Sequence, residues 1–471
     1  MDPQRQAGVV LPILQRQLDA EVTAPMSRRR RRKFSRDPFE VSIDDLSHDG
    51  RGVATHDEKK VFIHGALPGE KVEARLTDRR RHYDEGETLS IIEASPDRIE
   101  PRCPHFGQCG GCSLQHLDPA RQIEAKHRSL QQNLARIGKV EPETWWEPVT
   151  GPLWAYRRKA RLSVRYVHKK EKVLVGFRER YGAFVADMQE CHVLDPRIAG
   201  QLTALSELIY SMDARRSIPQ IEVACGDEDS ALVFRHLEPL SDGDLEKLRK
   251  FGRSSGIAVL LQPRGPATIH GLEPAECELK FAFPDHGLEL VFGPADFVQV
   301  NGAMNLRMVA RVLELLDPQE DERVLDLFCG LGNFTLPLAT RAGGVVGVEG
   351  DAELVRKGTE NAQRNGLENA VFFAADLNEE PSGAPWLKKG YDKVLVDPPR
   401  SGAEFILPHL ASSGAWRLVY VSCHPASLAR DAGILVQEHG FTLKGAGVMD
   451  MFPHTGHVES IALFERPKKE S

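Results

Sequence analysis

Six short apolar runs dominate the second half of the chain: VLDLF (324–328), GVVGVE (344–349), AVFFAAD (370–376), KVLVDPP (393–399), RLVYVSC (417–423) and ESIALFE (459–465). They are near-continuously apolar, with little of the polar alternation that a half-solvated strand shows. Strands of this kind are buried on both faces, which points to a parallel sheet covered by helices on either side. Helix-like segments separate most of the runs, as crossover connections require. From about residue 295 the chain therefore predicts a doubly wound α/β domain. Ligands of such sheets bind at the carboxyl ends of the strands. Those ends hold Cys329, Glu349, Asp376, Asp397 and Cys423. Acidic and reactive groups at five strand ends predict a site.

The stretch DLFCGLGNFTLPLA (326–339) reads as strand, glycine turn and helix. Gly330 and Gly332 let the backbone turn tightly and approach a ligand closely. Glu349, at the end of the next strand, can accept hydrogen bonds from two ribose hydroxyls. A dinucleotide site would want G-x-G-x-x-G. Thr335 stands where the third glycine belongs, and no basic residue in the turn awaits a phosphate. A ligand with ribose and adenine but no phosphate fits better, which points to S-adenosylmethionine. Asp376 would then take the adenine amino group.

The first 294 residues are of another character. A chain of 471 residues suggests two or three domains. No run approaches the ~20 apolar residues that span a bilayer, and VVLPIL is too short for the core of a signal peptide. A cytoplasmic protein without a membrane partner is expected. Residues 1–35 read as a disordered extension, because SRRRRRK (27–33) repels itself; Met26, just before it, is an alternative start. Residues 36–95 carry FEVSIDDL, GVATH, KVFIHGAL, EKVEARLT and ETLSIIEAS between turn signals, the pattern of a five-stranded, OB-like barrel. Asp118-Pro119 opens, and Gly138 closes, a helix over 118–138. Residues 150–290 mix short strands with the helical segment RIAGQLTALSELIYSMD.

Cys103, Cys109 and Cys112 give C-x5-C-x2-C in a Gly-rich loop. Eight cysteines are too few for a disulfide scaffold of this size, so the cluster predicts a metal site. Four ligands are expected, and Cys191 in MQECHVLD is the best distant fourth. Spacing does not choose between zinc and iron–sulfur, and His105 and His192 keep a mixed zinc site open. Net charge is −7, yet residues 151–180 hold ten basic and two acidic side chains among Trp154, Tyr156, Tyr166 and Phe177. That interleaving suits single-stranded RNA; it also suits a solvated strand face.

Together FVQVN (297–301), DLFCGLGNFTLPLA, DPPR (397–400), VSCHPASLARD (421–431) and MFPHTGHVESIALFER (451–466) resemble the RNA uracil-5-methyltransferases. The resemblance runs from about residue 38 to 467. The barrel and CPHFGQCGGC narrow it to the branch that methylates a uridine of 23S ribosomal RNA. It implies a TRAM-type barrel over 36–95, an α+β iron–sulfur domain over 96–294, and a Rossmann-like S-adenosylmethionine methyltransferase domain over 295–471. It also implies a [4Fe–4S] cluster on Cys103, Cys109, Cys112 and Cys191. Gln299, Phe328, Asn333, Glu349, Asp376 and Asp397 would line the cofactor site, with Phe297 stacked on the target base or its neighbour. Two departures stand out: His424 replaces the usual Asn, and the position of Asp376 varies within the family.

The reaction class explains Cys423. Carbon 5 of uracil is a poor nucleophile until a thiolate adds to carbon 6, and a strand end before a helix N-terminus is expected to favour that thiolate. By resemblance Glu459 is the base that removes the carbon 5 proton, with His454 and His457 as rivals. Cys329 reads as packing, and Cys225 and Cys277 as buried. A stacked uridine could not reach Cys423, so a flipped or unpaired base is implied. A monomer is expected. The rival readings are the same chemistry on transfer RNA or another ribosomal uridine, a non-catalytic RNA-binding module, and a radical enzyme. Intact Cys423 and Glu459 speak against the module. Cys191, as a fourth ligand, speaks against the open iron a radical enzyme needs.

Overall fold

The computed structural model describes residues 35–468 except 380, 382, 388 and 389, so the expected disordered extension lies, but for Ser35, outside the described residues. Six strands rather than five build the N-terminal sheet, in the order Phe39–Ser42, Lys71–Arg79, Asp84–Glu93, Lys59–His64, Gly52–His56, Asp45–Leu46. The extra strand arises because FEVSIDDL splits: Ile43 N–H leaves the run to bond Glu70 O at 2.9 Å. Alternation sends Val72, Ala74 and Leu76 inward against Ile43, Val61 and Ile63. Buried Glu70 accepts from Arg98 at 2.6 and 2.8 Å, which ties this sheet to the segment leading into the cysteine loop.

The middle of the chain forms a second six-stranded sheet, ordered His270–Glu273, Ala258–Gln262, Ser230–Arg235, Gln220–Cys225, Lys159–Val167, Lys172–Gly176. The helices Leu202–Ser211 and Asp242–Ser255 supply Leu205, Ile209 and Leu248 to the core on one face. RIAGQLTALSELIYSMD is two helices, Pro196–Ala199 and Leu202–Ser211, divided at Gly200.

The third sheet has eight strands: Ala370–Ala374, Gly344–Glu349, Arg323–Leu327, Lys393–Val396, Arg417–Ser422, Glu459–Glu465, Thr442–Met449 and Thr144–Trp145. The first five run parallel, as their composition predicts. Glu459–Glu465 does not: it is antiparallel to both of its neighbours, because the chain reaches it by reversing directly out of Thr442–Met449. Its amino end consequently lies at the edge where the parallel strands have their carboxyl ends. Thr442–Met449 escaped the sequence reading because Gly445 and Gly447 interrupt it. Their reason is Trp146: a Cβ on Gly445 would stand 2.3 Å from the indole Cζ2, and one on Gly447 3.1 Å from the Trp146 Cβ.

The helix Pro119–Asn133, capped by Asp118 accepting from Ala120 N–H at 2.9 Å, packs on the helix Pro425–Gln437. It continues as a π-helical turn to Gly138, as expected from its sequence limits. Lys126 on this helix donates to Asp450 at 2.6 Å and to Phe452 O at 2.9 Å, with both side chains of the pair buried. Breaking a buried pair by removing one partner strands the other charge. Lys126→Ala should therefore lower stability by about 3–5 kcal/mol, read as a shift of the urea midpoint at unchanged slope.

Candidate active site

The loops at the carboxyl edge of the eight-stranded sheet form the site. Phe328 (φ 63°), Gly330 (φ 55°) and Gly332 (φ 99°) lie in left-handed backbone, which folds the chain sharply after Leu327. Phe328 N–H bonds Val348 O at 2.8 Å, so the turn is pinned to the neighbouring strand. Beside it, Glu349 accepts from Gly330 N–H at 3.1 Å and Asp351 N–H at 3.0 Å. Asp376 accepts from Asn378 N–H at 2.9 Å at the end of the next strand. Asn333 exchanges two amide hydrogen bonds with Asn305, at 2.7 and 2.9 Å, which joins the turn to the helix Gly302–Leu316. That helix is capped by Asn301, two residues after half-buried Gln299; Phe297, two residues earlier still, is 71% exposed. Phe328, Glu349 and Asp376 thus stand at the carboxyl ends of three neighbouring strands, with Asn333 following in the turn.

Asp326 was missed. Its side chain is wholly buried, with Oδ2 accepting from Thr335 Oγ1 at 2.6 Å and Oδ1 without a partner. The signal was a carboxylate inside a strand apolar on both sides. Burial pushes Asp326 up to about 8, helped by the charges of Asp397 and Glu349 and opposed by Thr335. Burial alone pushes Asp397 up to about 7. A carboxyl raised on folding stabilises the fold fully below its unfolded pKa, and that stabilisation is lost as pH rises through the folded value. The melting temperature should therefore fall as pH climbs through about 7 and about 8. Asp326→Asn should flatten that fall; an unchanged slope would clear Asp326 of causing it.

The pairing of Ser422 with Ser460 brings Cys423 and Glu459 alongside each other, and Ser460 Oγ donates to Ser422 O at 3.1 Å. Cys423 is half-buried and Glu459 buried. Burial, then the charge of Asp397, pushes Glu459 well above the ordinary carboxyl range. The thiol of Cys423 is pushed up to about 11, first by burial, then by Glu459 and Asp397, with Arg400 opposing. This overturns the expectation that the strand-to-helix position itself favours the anion. The helix Pro425–Gln437 spends its first turn on His424, whose Nδ1 accepts from Ser427 N–H at 3.3 Å. His424 thus does the capping work for which Asn is also suited.

Cys423 opens into a cavity of about 510 Å³ that is shared by three parts of the chain. Arg400, His424 and His457 follow strands of the eight-stranded sheet or precede them, Gly110 and Gly111 come from the cysteine loop, and His48 and Asp49 from the N-terminal sheet's loops. Arg400 Nη2 and His457 Nδ1 are 3.1 Å apart. His454 does not join them: it stacks on Trp154 at 4.0 Å, and its carbonyl accepts from Ser113 and Leu114 N–H.

Cys103, Cys109, Cys112 and Cys191 line a neighbouring cavity of about 170 Å³, with Thr455 and His457 on both cavities. Burial raises all four thiols, Cys112 to about 12 and Cys191 to about 11. Among the described residues, no group of three or more His, Cys, Asp or Glu is arranged to hold a metal ion. Cys225 and Cys329 are buried as expected, whereas Cys277 is only half-buried. The basic stretch 151–180 proves largely structural. Arg158 pairs with Asp227 and Arg161 with Glu222, both at 2.6 Å, while Lys159 donates to Pro294 O and Asp296 O. Tyr156 is buried, with its hydroxyl donating to Pro453 O at 3.1 Å.

Family models described as a TRAM domain, a methyltransferase domain and a tRNA (Uracil-5-)-methyltransferase match residues 32–89, 318–408 and 386–467. The 23S rRNA (uracil(1939)-C(5))-methyltransferase RlmD of Xanthomonas axonopodis pv. citri (strain 306) is 55% identical over 441 residues, 93% of this chain and 99% of that protein. The chain belongs to the RlmD-type 23S rRNA (uracil-C5)-methyltransferases. A second member of this family, from Alkalilimnicola ehrlichii, is 54% identical over 94% of the chain and 100% of its own length. The solved Pyrococcus abyssi tRNA (uracil-54, C5)-methyltransferase, in complex with S-adenosyl-L-homocysteine, superposes with a TM-score of 0.69 at 24% identity. It covers 90% of this chain and 100% of that one, and fixes the fold as a Rossmann-like S-adenosylmethionine methyltransferase. Members of this family are S-adenosylmethionine-dependent RNA m5U methyltransferases, and this chain is one. The residues fit that cofactor: Gly330 has open space where a Cβ would stand, Glu349 is placed beside it, and Asp326 keeps a buried acceptor unused. Among the described residues no helix is long and apolar enough to cross a membrane.

Proposed function

We propose that this methyltransferase modifies carbon 5 of one uridine in 23S ribosomal RNA by covalent catalysis through Cys423. The observation that carries this is the register of Ser422 with Ser460, which sets Cys423 and Glu459 alongside each other, with Cys423 opening on a cavity of about 510 Å³. Cys423 loses its proton and its sulfur adds to carbon 6 of the uracil, moving the ring electrons toward carbon 5. S-adenosylmethionine, when bound, supplies the electrophilic methyl that carbon 5 takes. Glu459, as carboxylate, then removes the proton from carbon 5, and the returning electrons expel the Cys423 thiolate from carbon 6. Asp397, half-buried and with its charge acting on both groups, is suited to orient the reacting partners. Glu349 and Asp376 hold ribose and adenine, Gln299, Phe328 and Asn333 complete the pocket, and exposed Phe297 stacks on the base. The uridine enters unpaired or flipped, because a stacked base could not reach the thiol.

The four cysteines are read as ligands of a [4Fe–4S] cluster. The lining of one cavity by all four cysteines supports that reading. The domain limits 36–95, 96–294 and 295–471, a monomeric state and a cytoplasmic location complete the proposal. Anaerobically purified protein should be brown with about four irons per chain, and Cys191→Ser should lose the colour. Stoichiometric zinc without iron would replace the cluster by a zinc site. The substrate is tested by mapping 5-methyluridine in 23S rRNA from a deletion strain: one position should lose its methyl group and regain it on complementation. Loss from transfer RNA instead would favour the rival substrate.

A further inference from the structure

Phe184 is the most exposed large apolar side chain among the described residues, at 74%, and Tyr181 beside it is 55% exposed. Single exposed apolar residues are ordinary on a protein surface. These two differ in how firmly their backbone is held. They sit on a hairpin closed by Ala186 N–H to Phe177 O and Glu179 N–H to Phe184 O, both at 2.9 Å. The hairpin is pinned to the cysteine loop by Gly110 N–H to Arg178 O and Arg180 N–H to Gln108 O, also at 2.9 Å. Arg180 further donates to Cys112 O at 2.8 Å and covers the Phe106 ring at 5.2 Å. On the opposite side the Tyr181 ring meets His64 of the N-terminal sheet edge-on at 4.9 Å.

This anchoring places the aromatic pair near the chemistry. Cys109 pairs with Glu179, and Glu179 with Phe184. Two strand spacings therefore put Phe184 about 10 Å from the Cys109 backbone. Gly110 and Gly111, next in sequence, line the cavity of Cys423. The surroundings favour an anionic partner: Arg178 and Arg180 flank the tip, and residues 101–117 contain no Asp or Glu.

We propose that Phe184, with Tyr181, is a stacking platform for an unpaired base next to the target uridine, with exposed Arg178 facing the phosphates. The platform rests on the 23S rRNA reading above and adds to it the part of the protein that grips the flanking nucleotide. The cysteine loop then acquires a mechanical role, because it carries the hairpin.

The test is methyl transfer to a protein-free transcript of the 23S rRNA region containing the target. Phe184→Ala should raise the KM for the transcript about ten- to one-hundred-fold, the range supplied by stacking one base. The kcat and the KM for S-adenosylmethionine should be unmoved. Phe184→Trp should restore the KM, whereas Phe184→Leu, apolar but without a flat ring, should behave as Ala. An unmoved KM in Phe184→Ala, with full wild-type turnover, overturns the platform alone. A leucine variant as good as tryptophan does the same. So does a defect confined to ribosomal particles, which would make the tip a protein contact. A wild-type chain inactive on the transcript overturns the substrate reading, and the platform with it.

Discussion

Cys423→Ala should abolish methyl transfer, by at least about four orders of magnitude, while S-adenosylmethionine still binds. In the proposed mechanism the thiol meets the uracil, whereas Glu349 is held by Gly330 and Asp351 N–H, so the cofactor pocket should survive its removal. Labelled methyl transfer and calorimetric cofactor binding separate the two. Turnover above background in the alanine variant would show that the base is activated without a covalent bond. In the wild type the thiol, raised to about 11 by burial and then by its acidic neighbours, should make kcat/KM rise with pH across the neutral range. A rate independent of pH there would mean that the substrate complex lowers the thiol before chemistry begins.

Glu459→Gln should fail later and leave a different trace. In the proposed mechanism, addition and methyl transfer precede removal of the carbon 5 proton. A glutamine of nearly the same shape then leaves the methylated base attached to Cys423. A denaturing gel with labelled RNA should show a slow band that is absent from the double variant Cys423→Ala, Glu459→Gln. Full activity with no adduct would pass the base role to His457, which lines the same cavity and whose pKa burial already lowers. His454 is the weaker heir, since it is packed beneath Trp154 and pushed down to about 4, first by burial.

The methyltransferase domain was legible because burial writes itself into composition: five strands of nearly continuous apolar residues are parallel, as read, although Ala370–Ala374, at the edge of the sheet, is only partly covered. What the sequence could not show was determined by partners far away in the chain. Thr442–Met449 reads as a loop until Trp146 is known to lie across its glycines. The direction of Glu459–Glu465 depends on the strand it reverses from, although its position in the motif was plain. Candidate residues at strand ends were found by register. Asp326 was passed over because it sits inside the strand rather than at its end. The basic stretch stayed open between two readings because composition counts cations and not the acceptors that face Arg158, Lys159 and Arg161.

The return of Thr144–Trp145 to the far end of the eight-stranded sheet also orders events in time. During synthesis this segment leaves the ribosome about 300 residues before its partner, an interval of roughly 15–60 s at ordinary elongation rates. The helix Pro119–Asn133 waits equally long for Pro425–Gln437. Neither can dock as it emerges, and contacts so distant in sequence form slowly. The nascent chain must therefore carry an unfinished arm past two completed domains, and it becomes an enzyme only when its last strands come back to meet that arm.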